Sequence, residues 1–148
     1  MDDKTSTMHM ILQEKYGVIR AIRQRVQGIS LATIGGLAAA AAWCASQNPS
    51  FGSGKRGVIS ALLILTGFAV WRFLVDLNRG FKATWKVITD IETSLGCYTE
   101  EHFGIGTGTI YPKKWQEGGR AGGDGRFFFW SYLFITLAVV AATSLVWL

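Results

Sequence analysis

The stretch GVISALLILTGFAVWRFLV, residues 57–75, contains no acidic residue, lysine or histidine, and its one charge, Arg72, lies close to its end. At about 1.5 Å of rise per residue, a helix of this length covers the roughly 30 Å hydrocarbon core of a bilayer. Helix is the conformation to expect there, because hydrocarbon offers no partner to backbone N–H and C=O groups and a helix satisfies them within the segment. Two further blocks, 29–46 and 127–148, have the same character. Apolar residues make up 49% of the 148-residue chain. In a soluble domain that fraction would be spread by helical or strand periodicity, whereas here it is gathered into three blocks nearly free of charge. The expectation is an all-α protein with three transmembrane helices, and buried core helices of a soluble domain are the poorer reading.

Between the first two spans, residues 47–56 hold Pro49, Gly52 and Gly54, which suit a tight hairpin turn. Residues 1–28 are too long and too polar for a removable leader and read as an amphipathic cytoplasmic helix, beginning near residue 8 and leading into span one. Its apolar face carries Leu12, Ile19, Ile22, Val26 and Ile29. After span two, Leu77, Phe81, Thr84, Ile88, Ile91 and Leu95 recur at intervals of three and four, so residues 76–96 continue the second helix into the cytoplasm. Arg79, Lys82, Lys86, Asp90 and Glu92 fall largely off that seam, and Gly96 supplies a C-terminal stop. A helix from 57 to 95 would run about 58 Å. The two extensions are expected to lie antiparallel and bury Leu77, Phe81, Ile88, Ile91 and Leu95, although neither seam sustains a coiled coil.

Orientation follows from the basic residues. Lys4, Lys15, Arg20, Arg23 and Arg25 precede span one, and Arg72, at the end of span two, is counted with Arg79, Lys82, Lys86, Lys113, Lys114, Arg120 and Arg126 between spans two and three, against only Lys55 and Arg56 in the short loop. The positive-inside rule then places the N-terminus in the cytoplasm and the C-terminus outside. Trp71, Arg72, Trp85 and Trp147 are read as interface anchors, with Trp85 alternatively packed against neighbouring side chains. The net charge of +5 suits anionic lipid. Acidic and basic residues are mixed in the long loop, which describes a solvated face and not a track for nucleic acid.

Gly28, Gly35, Gly36 and Ala40, with the alanines through Ala42, give span one a small-residue surface that would contact span two or another copy of the chain. The spans hold no titratable group at mid-depth, which disfavours a transporter with a proton relay. Ser30, Thr33, Ser60, Thr66, Thr136 and Thr143 are the hydroxyls that could line a conduit between protomers.

Residues 97–126 are glycine-rich and predict a nonhelical cytoplasmic connection. Gly104, Gly106 and Gly108 lack the strand, helix and acidic residue of a dinucleotide fingerprint, and Gly52-Ser53-Gly54-Lys55 is short of a phosphate loop. Glu100, Glu101, His102, Glu117 and Asp124 are the only concentrated acid-base candidates, without the two-histidine spacing of a zinc hydrolase. Cys44 and Cys97 fall on opposite sides of the bilayer in this topology, so neither a disulfide nor a metal site is expected. No cofactor, metal or catalytic residue is assigned.

Asn78, Val87-Ile88 and Ile91-Glu92, together with the N-terminal helix entering span one, resemble a family of small bacterial membrane proteins with a cytoplasmic helix after the second span. Gly96 stands where a proline commonly ends that helix. More distantly, the hairpin with cytoplasmic extensions resembles the two-span SLATT effectors of bacterial defence systems, from which the third span is a departure. That resemblance implies an oligomeric, membrane-perturbing role in the bacterial inner membrane and transfers no catalytic residue. The first functional expectation is therefore a noncatalytic homo-oligomer in membrane lipid, a gated pore or defence effector. The rivals are a scaffold that recruits a cytoplasmic protein and a small membrane enzyme built on the 97–126 loop.

Overall fold

The computed structural model describes residues 3–46, 52–100 and 109–147. Within them the protein is all-helical and contains no strand: α1 spans Asp3–Ser46, α2 Ser53–Ser94, α3 Lys113–Arg120 and α4 Arg126–Trp147. Three of these helices, α1, α2 and α4, are long and apolar enough to cross a membrane. The chain divides into two compact units, Met1–Arg23 with Leu77–Gly125, and Gln24–Asp76 with Arg126–Leu148.

In the second unit each helix contributes one seam at alternating intervals of three and four. Val26, Ser30, Leu37, Ala41 and Cys44 are buried from α1, Ser60, Leu63, Gly67 and Leu74 from α2, and Phe128, Ser131, Ile135, Ala142 and Val146 from α4. The other faces are apolar and open, as at Leu31, 72% exposed, and Phe68 and Phe129, each 61%. Water would penalise that surface heavily, and hydrocarbon does not. The threonine hydroxyls are satisfied locally. Thr33, Thr66, Thr136 and Thr143 each donate to the carbonyl four residues back, so these four of the residues suggested as a polar lining have spent their donors on their own helices, whereas Ser30 Oγ is buried without a partner among the described residues. At one end Trp147 Nε1 donates to Ser60 Oγ at 3.0 Å and Arg56 Nη1 reaches the Trp147 carbonyl at 3.4 Å, joining α2 to α4.

Among the glycines of these helices, the close approach is not at those of α1. A Cβ placed on Gly67 would stand 2.4 Å from Val139 Cγ2, whereas nothing lies within 4 Å of a Cβ on Gly28, Gly35 or Gly36. Ala40 is half-buried beside the Leu37, Ala41, Cys44, Leu63, Ala142 and Val146 cluster.

In the first unit, Ile19 of α1 is buried, as are Phe81 and Ile88 of α2, while Leu77, Ile91 and Leu95 are half-buried. Arg23 lays its guanidinium carbon 5.7 Å from the Phe81 ring centroid. α1 begins at Asp3, not near residue 8, because Thr5 and Met8 prolong the half-buried seam that Leu12 continues. α2 begins at Ser53, not 57: the Gly52 carbonyl accepts from the Lys55 and Arg56 amides and so opens the helix inside the expected loop. The rest of that loop, including Pro49, lies outside the described residues.

Gly96 ends α2 as expected. Its φ is 77°, its N–H bonds the Thr93 carbonyl and the Cys97 N–H bonds that of Glu92, the paired bonds of a Schellman motif. The nonhelical expectation for 97–126 fails at α3. Pro112 precedes it with φ −59°, donating nothing and pre-set for the turn, and Trp115 N–H closes on the Pro112 carbonyl at 2.8 Å. Of the two glycines inside α3, Gly119 is required by the close approach to α2, since a Cβ there would lie 2.0 Å from Thr89 Oγ1, whereas Gly118 has open space. A second Schellman ending follows, with Gly122 at φ 99° bonding the Gly119 carbonyl and Gly123 that of Gly118.

Candidate functional site

The first unit contains a cavity of about 630 Å³, within the range of small-molecule sites. Tyr16 and Arg23 reach it from α1, Trp85 and Glu92 from α2, Tyr98 and Tyr111 from the connecting chain, and Lys114 and Trp115 from α3. Gly118, Gly119, Gly123 and Asp124 complete the lining.

Local sequence explains each position. Residues 12, 16 and 19 fall on one face of α1, so Tyr16 sits on the seam that buries Ile19. Residues 81, 85, 88 and 92 do the same on α2, carrying Trp85 and Glu92 beside Phe81 and Ile88. The Schellman turn at Gly96 reverses the chain and brings Tyr98 back over the last turn of α2. The Tyr111 amide then bonds the Cys97 carbonyl at 3.1 Å, and Gln116 Nε2 donates to Thr93 Oγ1 at 3.1 Å to seat α3.

Glu92 is the centre of this arrangement. It is 3% exposed and accepts the Tyr16 hydroxyl on Oε1 and the Tyr98 hydroxyl on Oε2, each at 2.5 Å. No basic side chain among the described residues forms an ion pair with it. Desolvation of both phenols, then their bonds to Glu92 and its charge, raise their pKa values well above the tyrosine norm. Burial and the same carboxylate push up the Tyr111 hydroxyl and the Cys97 thiol. These groups therefore stay protonated near neutral pH, and a neutral Cys97 is a weak nucleophile.

Aromatic rings form the walls. Tyr16 meets Trp85 edge-on at 6.2 Å, Trp85 meets Phe81 at 6.3 Å, and Tyr98, Tyr111 and Trp115 follow one another at 5.9 and 5.7 Å. Trp85 Nε1 is buried without an acceptor among the described residues. A Cβ on Gly123 would collide with the Trp85 ring at 2.7 Å, so the chain after α3 can cover that ring only as glycine.

The residues expected to matter are dispersed. Phe81 and Ile88 form core beside the cavity, and Trp85 is packed in its wall. Trp71 is exposed and edge-on to Tyr132 at 6.0 Å, and Arg72 pairs with Asp76 at 2.9 Å in the exposed turn that follows. Glu92, expected off the apolar seam, is buried because its two phenol partners satisfy the carboxylate. Among the acid-base candidates, Glu100 is exposed, and its bond to Lys113 at 2.9 Å draws its pKa below the usual range. Glu117 and Asp124 are also exposed, with Asp124 lining the cavity. Glu101, His102, Gly104, Gly106 and Gly108 lie outside the described residues, among which no cluster of three metal-ligating side chains occurs. Cys44 is buried and Cys97 half-buried, both as free thiols.

Tyr16 is absent from the residues expected to matter, and Glu92 was expected only as a charge off the apolar seam and as part of the Ile91-Glu92 pair. The signal was present in the gap between Leu12 and Ile19, where a seam position carries a tyrosine, and in the four-residue step from Ile88 to Glu92. No protein-family model, curated protein or solved structure matches the chain.

Proposed function

We propose that this chain is a noncatalytic multi-pass membrane protein that self-associates in the bilayer through the small-residue face of α1. One observation carries the reading. Gly28, Gly35 and Gly36 have open space where a side chain would stand, while within the second unit a close helix contact is made by Gly67 and Val139. Small residues let helix backbones approach in lipid, where dispersion and not the hydrophobic effect drives association, and here that surface is left for a second copy. The exposed Ala38, Ala39 and Ala42 extend it. Burial and Glu92 raise the Cys97 pKa, which makes that thiol a weak nucleophile and accords with a noncatalytic role.

In this reading the protein lies in the bacterial inner membrane with its N-terminus cytoplasmic, and its oligomer acts as a gated conduit or membrane-perturbing effector. Subunit counting by single-molecule photobleaching in liposomes tests the association. More than one copy per complex is expected, falling to one when Gly35 and Gly36 are both replaced by leucine. A wild-type protein that remains a single copy at high protein-to-lipid ratio would overturn the assembly. Conductance recorded on the same liposomes tests the conduit, and its absence in every oligomeric state would remove that role.

A further inference from the structure

We propose that the cavity around Glu92 binds a small organic cation, a quaternary ammonium group held among aromatic rings near a buried carboxylate. This inference concerns the first unit alone and does not rest on self-association.

Two observations lead to it. The lining is aromatic to an unusual degree for a cavity of about 630 Å³, with Tyr16, Trp85, Tyr98, Tyr111 and Trp115 all contributing. The electron-rich face of such rings attracts a cation, most strongly where water is excluded. Next, the one deeply buried charge in the lining is negative. Glu92 is neutralised by no basic side chain among the described residues, and its phenol partners supply hydrogen bonds but no countercharge. A buried carboxylate held this way favours a cation brought from outside.

The remaining charged groups do not reverse this sign. Arg23 and Lys114 line the cavity, but both are exposed, and Arg23 is engaged over Phe81. Asp124, also exposed, offsets one of them, so positive charge is confined to the solvent-screened margin while the interior remains negative. An anionic group on the ligand would fit that margin, with the ammonium directed inward.

The test uses full-length protein in maltoside micelles or phosphatidylglycerol nanodiscs, because choline-bearing lipid would compete. Choline is titrated by calorimetry and tryptophan fluorescence against 3,3-dimethylbutanol, its uncharged isostere. Saturable choline binding is expected, with the isostere weaker by about tenfold or more, a difference set by charge and not by shape. Glu92→Gln, which keeps the size and an acceptor oxygen, should weaken choline by a similar factor. Should that variant fail to fold, Trp115→Leu serves instead: Trp115 is 62% exposed, and losing its ring should weaken choline roughly threefold. The proposal is overturned if choline shows no saturable binding, if the isostere binds equally well, or if neither substitution changes choline affinity. It is also overturned if inorganic phosphate binds the cavity and choline does not.

Discussion

Tyr16 and Tyr98 share one carboxylate, and that fixes the chemistry of all three side chains. A phenol donating to a buried anion gives up its proton reluctantly, because ionisation would put a second negative charge beside Glu92. The phenol pKa is raised in the folded state, so the stabilisation is complete below the ordinary tyrosine value of about 10 and is lost as pH rises through the raised values. Ultraviolet titration should therefore show tyrosinate forming later in the native protein than in the unfolded chain. Tyr98→Phe should remove part of the delayed absorbance. The same substitution leaves Glu92 with one donor and should lower stability by about 1–3 kcal/mol, read from thermal melts followed by circular dichroism. Normal titration of every tyrosine in the native state would contradict the shared-carboxylate arrangement. This pair was hidden in the sequence because a tyrosine and a glutamate on an apolar seam look like interruptions. Their partnership joins positions 76 residues apart, and no local pattern carries that information.

Among the helices, glycine has two different uses. At Gly96 and Gly122 it permits the left-handed turn that ends α2 and α3, and at Gly67 and Gly119 it permits close approach. Gly67→Ala should destabilise the second unit by about 1–3 kcal/mol as its Cβ meets Val139, and Val139→Ala in the same chain should recover most of the loss. Gly35→Ala meets nothing within the chain and should leave the melting temperature of the monomeric protein unchanged or higher. Equal losses at both positions would mean that α1 and α2 approach differently from the arrangement described. The stop at Gly96 was legible because it follows a clear amphipathic seam. α3 was not, since a composition dense in glycine argues against helix until the close contact with Thr89 is known. The small residues of α1 were legible as a surface, whereas the close contact made by Gly67 depends on which helix α4 packs against.

At the scale of the whole molecule, hydrocarbon-length apolar blocks were the strongest signal in the chain, and they lie within α1, α2 and α4, of which the first two run well beyond their blocks. Their lengths and composition are local properties and survive folding unaltered. The cavity was illegible for the opposite reason, since its walls come from α1, α2, the connecting chain and α3, and none of those segments carries a recognisable motif. The central claim is that lipid covers the open apolar faces of the second unit. Alkaline carbonate extraction of membranes from cells producing the untagged protein tests it most directly. The chain should remain in the membrane pellet and be released only by detergent, whereas recovery as a stable monomer in the detergent-free supernatant would contradict the claim.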